Sequence, residues 1–149
     1  MTTPVKTVMY TAEAVVSGGR DGHARSSDGN LDVSLSTPAE LEGSGGGGTN
    51  PEQLFAAGYA ACFQSALMGV ARGRNLNVDD CSITSRVGVG PVAEGGFGIE
   101  VHLTLDAPSL TTEQAGDILK RTLKRCPYSR AVAGNVPVTL SANGVEIEE

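Results

Sequence analysis

Asn50-Pro51-Glu52-Gln53-Leu54-Phe55-Ala56-Ala57-Gly58-Tyr59-Ala60-Ala61-Cys62-Phe63 is the stretch on which the reading of this chain turns. Pro51 suits the first position of a helix, where its missing N–H costs nothing, with Asn50 as the cap before it. The helix is expected to run to about Arg72–Asn75, some 23 residues and roughly 34 Å. From Leu54 to Phe63 it is apolar or small all the way round, the pattern of a helix buried on every side. One chain of this size has few layers with which to bury so long a helix, so a second copy is expected to cover it. The small residues Ala56, Ala57, Gly58, Ala60 and Ala61 permit close approach.

Outward from this helix, the pattern alternates between strand and helix. Thr7–Ser17 alternates loosely and ends in the turn Gly18-Gly19-Arg20-Asp21-Gly22. Leu31, Val33 and Leu35 alternate with polar residues, as in a half-buried strand. The run from Gly43 to Gly48 reads as a flexible connection. It lacks the Gly-Lys-Ser/Thr ending of a phosphate loop. Cys81–Gly90 and Gly96–Leu105 form a strand pair around Pro91–Gly95. Thr111 and Gln114 make a capping box for a helix carrying Ile118, Leu119, Thr122 and Leu123 on one side. Pro127 ends that helix and leaves Cys126 at its C-terminus. Val136–Leu140 is a further strand, and Asn143-Gly144 signals a hairpin into Val145–Ile147. The expected class is α+β, a bent antiparallel sheet on a long central helix, in a single domain over residues 1–149.

Composition narrows the function. The chain has 149 residues and a net charge of −6, which argues against nucleic acid because phosphate binding needs a basic patch. Met1–Tyr10 has no signal-peptide core, and no stretch of about 20 apolar residues is evident, so neither secretion nor a membrane span is expected. Three cysteines make an odd number for a secreted disulfide framework, and a reduced, cytoplasmic protein is the expectation. His23 and His102 have no partners at metal-ligand spacing. Cys81 reads as a structural thiol; Phe55, Tyr59, Phe63 and Phe97 read as core, with the lining of an apolar substrate pocket as the alternative for some of them.

That leaves Cys62 and Cys126. A thiol among Ala, Phe and Tyr has its pKa raised by desolvation, so Cys62 needs a cation to become a nucleophile. Arg20, Arg25, Arg72, Arg74 and the basic run Lys120–Arg125 are the candidates. Cys126, at a helix end where carbonyls point, is disfavoured as a thiolate and suits a resolving role. A structural role for both thiols is the alternative.

The motifs Gly18-Gly19-Arg20-Asp21-Gly22, Thr49-Asn50-Pro51-Glu52-Gln53-Leu54 after a Gly-rich loop, Ala60-Ala61-Cys62-Phe63 and Cys126-Pro127-Tyr128-Ser129 occur in this order. Together they resemble the organic hydroperoxide resistance (Ohr) family of the OsmC-like superfamily, from about Tyr10 to the last strand. The resemblance implies an OsmC-like fold, with strongly curved antiparallel sheets wrapped around long central helices in an intertwined homodimer. It implies a thiol peroxidase that reduces organic hydroperoxides to alcohols, with no cofactor, and is regenerated by lipoylated proteins or other dithiols. Cys62 matches the family's peroxidatic cysteine, Cys126 the resolving one, and Arg20 and Glu52 its Arg–Glu pair. An OsmC-type stress peroxidase and a non-enzymatic carrier of apolar ligands are the competing readings. Glu52 and Cys62, ten residues apart on one helix, lie about 15 Å apart along its axis. Arg20 and Glu52 are therefore expected to come from one subunit and Cys62 and Cys126 from the other.

Overall fold

The computed structural model describes residues 2–148. The chain divides into two compact units, Met1–Pro51 and Glu52–Glu149. The first holds an antiparallel sheet of β1 (Ala14–Ser17), β2 (His23–Ser26) and β3 (Asp32–Ser34), in that order. Of the strand expected over Thr7–Ser17, the last four residues form β1, and the Glu13 carbonyl before them accepts the Ser27 N–H at 2.9 Å. β1 and β2 are joined through a single 3₁₀ turn, Gly19–Asp21, which carries Arg20. Gly18 enters it at φ 77°, in the left-handed region open to glycine. A Cβ on Gly22 would lie 1.6 Å from the Ser17 carbonyl oxygen, so the chain can cross there only without a side chain. The Asp21 carboxylate accepts the Thr37 N–H at 3.0 Å and ties the turn to the segment after β3.

The glycine run is not the loose connection expected. Leu35 bridges Thr49 in parallel, and the Thr49 carbonyl accepts the Ser36 N–H at 2.9 Å. The Gly48 N–H donates to Ser36 Oγ at 2.8 Å. A Cβ at Gly43 would meet the Thr37 carbonyl oxygen at 2.2 Å. Two of these glycines are there because backbone packs on backbone.

The second unit opens with α1 (Pro51–Gly73), unbroken through Gly58. It ends as a Schellman motif: Asn75 takes a left-handed φ of 57°, and the Leu76 N–H reaches back to the Ala71 carbonyl at 3.0 Å. Then follow β4 (Ser82–Pro91), β5 (Phe97–Asp106), α2 (Thr112–Leu123), α3 (Pro127–Val132), β6 (Val138–Ala142) and β7 (Val145–Ile147). The sheet order is β4-β5-β6-β7. The pairing is antiparallel except between β5 and β6, which run parallel. The expected antiparallel pairing thus holds apart from this one pair. Parallel neighbours need a long crossover, and α2 with α3 supplies it. The Thr111–Gln114 capping box that starts α2 forms as expected, its two bonds at 3.1 and 3.0 Å. Asn143 and Gly144, at φ 49° and 82°, turn β6 into β7.

The core is a stripe of α1 (Tyr59, Phe63, Leu67, Val70 and Ala71) against Val101, Leu103 and Leu105 of β5, Ile118 and Leu119 of α2, and Leu140 of β6. The spacing of four, four, three and one residues is one helix face. The expectation that α1 is buried on every side does not hold within the chain: Ala57, Ala61, Ser65 and Met68 are exposed on the opposite face. By length and mean hydropathy (1.5) α1 also meets the requirement for a membrane span, contrary to the sequence expectation, yet its buried stripe makes it the core helix of this unit. Phe97, expected in the core, is 70% exposed at the start of β5.

Candidate active site

Cys62 sits on α1, three residues after Tyr59, at the edge of the buried stripe. Cys126 lies where α2 gives way to α3. Its N–H still donates to the Thr122 carbonyl at 2.9 Å, and its own carbonyl already accepts the Arg130 N–H at 3.0 Å. Cys126 is therefore the residue that caps α3, a helix not expected from the sequence, where Pro127 reads as a stop. Proline is equally a first residue, and the missing N–H at Pro127 makes that of Tyr128 the first one free.

That N–H points at Cys62. Burial pushes the Cys62 thiol above the ordinary thiol range, the Tyr128 N–H bonded to its sulfur opposes the rise, and neighbouring Cys126 adds to it. The two sulfurs are 3.8 Å apart, with the Cys126 thiol donating toward Cys62. They differ in access: Cys126 is fully buried, whereas Cys62 is only half-buried.

A second clasp lies beside the first. The Tyr59 hydroxyl and Ser129 Oγ are 2.7 Å apart, and both are buried. Tyr59 precedes Cys62 by three residues on α1, and Ser129 follows Cys126 by three, so this bond and the thiol pair join the same two segments. Burial holds the Tyr59 phenol above its usual range. Around it Phe55, Tyr59, Phe63 and Tyr128 form an aromatic cluster, with Phe55 and Tyr59 edge to face at 5.8 Å. Gly58 makes room for the Tyr128 ring: a Cβ there would lie 3.2 Å from its hydroxyl oxygen.

Of the four predicted site residues, Cys62 and Cys126 are thus brought together. Glu52 stands in the first turn of α1, and Arg20 on the 3₁₀ turn of the first unit. Tyr59, Ser129 and the Tyr128 N–H were missed as site groups. Their signal lay in the matched spacing of Tyr59–Cys62 and Cys126–Ser129. Cys81 is partly buried, and its carbonyl accepts the Gln64 side-chain N–H at 3.2 Å, a packing role. His23 pairs with Asp32, and His102 bonds Thr139 and Ser141.

A half-buried thiol thus stands beside a buried one, on a helix-and-sheet frame with an apolar wall. Comparison with known proteins places the chain in a family. Residues 43–141 match the OsmC-like protein family. The organic hydroperoxide resistance protein of Xanthomonas axonopodis pv. citri is 50% identical over 142 residues, covering 95% of this chain and 99% of that protein. OhrB of Bacillus subtilis is 44% identical over 134 residues, covering 89% and 96%. The crystal structure of OhrB superposes with a TM-score of 0.84 at 42% identity, over 91% of this chain and 99% of that one. An organic hydroperoxide resistance protein from Elizabethkingia anophelis gives 0.86 at 41%, over 93% and 98%. The chain belongs to the OsmC-like family, among its organic hydroperoxide resistance members.

Proposed function

We propose that this protein is a cysteine-based peroxidase that defends against organic hydroperoxides. The observation that carries the reading is the thiol pair at 3.8 Å with unequal access: the half-buried sulfur can meet a peroxide, and the buried one can meet only its neighbour. The Cys62 thiolate attacks the distal peroxide oxygen, the O–O bond breaks, and the departing alkoxide takes a proton to become the alcohol. Sulfur is oxidised to a sulfenic acid. The Cys126 thiol then attacks that sulfur, a disulfide forms, and water leaves. A dithiol, on a lipoylated protein or free, reduces it by exchange.

Burial alone works against the thiolate. We assign the missing cation to Arg20, held by Glu52 through a bidentate contact. Because α1 is unbroken, Glu52 lies about 15 Å along the axis from Cys62. The pair then belongs to the opposite subunit of a homodimer. The exposed small-residue face of α1, and Val5, Val8, Met9 and Tyr10 (the last 79% exposed), are surfaces such a dimer would cover. The aromatic cluster favours alkyl over hydrogen peroxide, and the cytoplasm is the proposed location.

Stopped-flow consumption of an alkyl hydroperoxide by the reduced protein tests this. Wild type and Cys126→Ser should react fast and Cys62→Ser not at all. Equal, slow reaction of all three would make the thiols structural and leave a ligand carrier as the reading.

A further inference from the structure

Although the chain is acidic overall, four of its 11 lysines and arginines line a single cleft, so the charge there runs against the whole. Arg74, Arg121, Lys124 and Arg125 surround about 320 Å³ where α1 and α2 end, over Gly69 and Gly73. Cations suit a helix C-terminus, where the last carbonyls carry partial negative charge, but that accounts only for their place along the chain. Their arrangement is more particular. Asp117 holds both arginines by Nε, Arg121 at 3.1 Å and Arg74 at 3.6 Å. Among the described residues, the terminal nitrogens of both guanidinium groups are left for another acceptor. The bond from Arg121, foremost, keeps the Asp117 carboxyl below the usual carboxylate range, so the clamp stays charged. Lys124 and Arg125 have no carboxylate within ion-pair distance among the described residues. Four cations against one carboxylate leave three positive charges.

We propose that this cleft binds a diphosphate group, free or carried by a nucleoside. An arginine fork matches two oxygens of one phosphoryl group, and two forks fixed on a common carboxylate lose little freedom when they take it. The second phosphoryl group meets Lys124 and Arg125. A ligand carboxylate would answer only one of the three charges. A nucleic acid would be repelled by the rest of a chain whose net charge is −6, so the fit is to a small anion.

Gly69 and Gly73 carry no side chain to keep that anion from the helix. They stand about a quarter-turn or more round α1 from the centre of the exposed face assigned to the second subunit, so the cleft and that face are separate. A second recess of about 1010 Å³, with Leu76 and Ile147 in its wall, shares Arg74 and Asp117 with the cleft and gives a nucleoside its place. The inference is independent of the peroxidase reading, since Cys62 takes no part in it.

Titration calorimetry of ADP, pyrophosphate and adenosine into the reduced protein, at low salt and without magnesium, tests it. ADP and pyrophosphate should bind once per chain, and adenosine far more weakly. Lys124→Gln/Arg125→Gln should weaken both anions about tenfold, since cations this exposed give modest individual contacts. Arg86→Gln/Arg130→Gln removes the same charge from exposed positions outside the cleft and should change neither affinity by more than about twofold. ADP bound more tightly than pyrophosphate supports the site with the nucleoside in the recess; equal binding supports it with the diphosphate alone as the ligand. Failure of both anions to bind at millimolar concentration overturns the site. Equal losses in the two variants overturn it as well, because they would mark a response to overall charge.

Discussion

Replacing Tyr59 by Phe removes one hydroxyl and no volume, and it strands Ser129 Oγ in the interior. Ser129→Ala strands the Tyr59 hydroxyl in the same way, since the two are 2.7 Å apart and 0% and 5% exposed respectively. Leaving a buried hydroxyl without its partner costs about 1–3 kcal/mol, so each single variant should lose about 2 kcal/mol. The double variant leaves neither group stranded and should lose less than the two together, with a coupling of more than 1 kcal/mol. At this chain length each kilocalorie is worth about 3 °C in Tm. Urea unfolding of the reduced proteins measures the cycle. Because the bond joins the segments that hold the two thiols, each single variant should also slow closure of the Cys62–Cys126 disulfide after peroxide addition while the first oxidation keeps its rate. Additive losses, within about 0.5 kcal/mol, would show that the two hydroxyls do not depend on each other and would refute the clasp.

Two further expectations follow from the same site. Arg20→Ala should raise the pH at which Cys62 ionises, followed by thiolate absorbance or alkylation rate. Without the cation, desolvation dominates and the folded chain holds the proton above the ordinary thiol range. In that variant the thiol's contribution to stability is present at lower pH and lost as pH rises through the folded value, and coincident curves for the two proteins would remove Arg20 from the site. Gly58→Ala should raise Tm slightly, since alanine gains about 0.5–1 kcal/mol in a helix and the new methyl meets only the outer end of the partly exposed Tyr128 ring, at 3.2 Å; a loss above about 1 kcal/mol would mean that the ring is held rigidly.

The elements whose evidence is local were legible in the sequence. Pro51, the Thr111–Gln114 capping box and Asn143-Gly144 each satisfy backbone geometry within a few residues, and the structure uses all three as expected. What escaped depends on contacts between distant segments. Whether β6 lies parallel or antiparallel to β5 is a matter of how α2 and α3 return the chain, which no short window records. Pro127 is ambiguous by its chemistry, because a missing N–H ends one helix and suits the start of another. The Gly43–Gly48 run resembles a linker in composition, but Gly43 and Gly48 are the residues whose Cβ would collide with backbone across the loop. In the site, Cys62 and Cys126 stood out by setting; Tyr59 and Ser129 did not, since an aromatic and a serine on a helix announce packing.

The 64-residue separation of the two thiols has a thermodynamic consequence once they bond. Closing so long a loop removes about 4 kcal/mol of freedom from the unfolded chain. By reciprocity the fold deepens the disulfide's own reduction potential by a like amount, about 90 mV for two electrons. The folded contact that speeds closure of the bond therefore also sets how strong an electron donor must be to open it. Unfolding the oxidised chain would remove that gain, so the same bond would be reduced more easily in the open chain than in the fold.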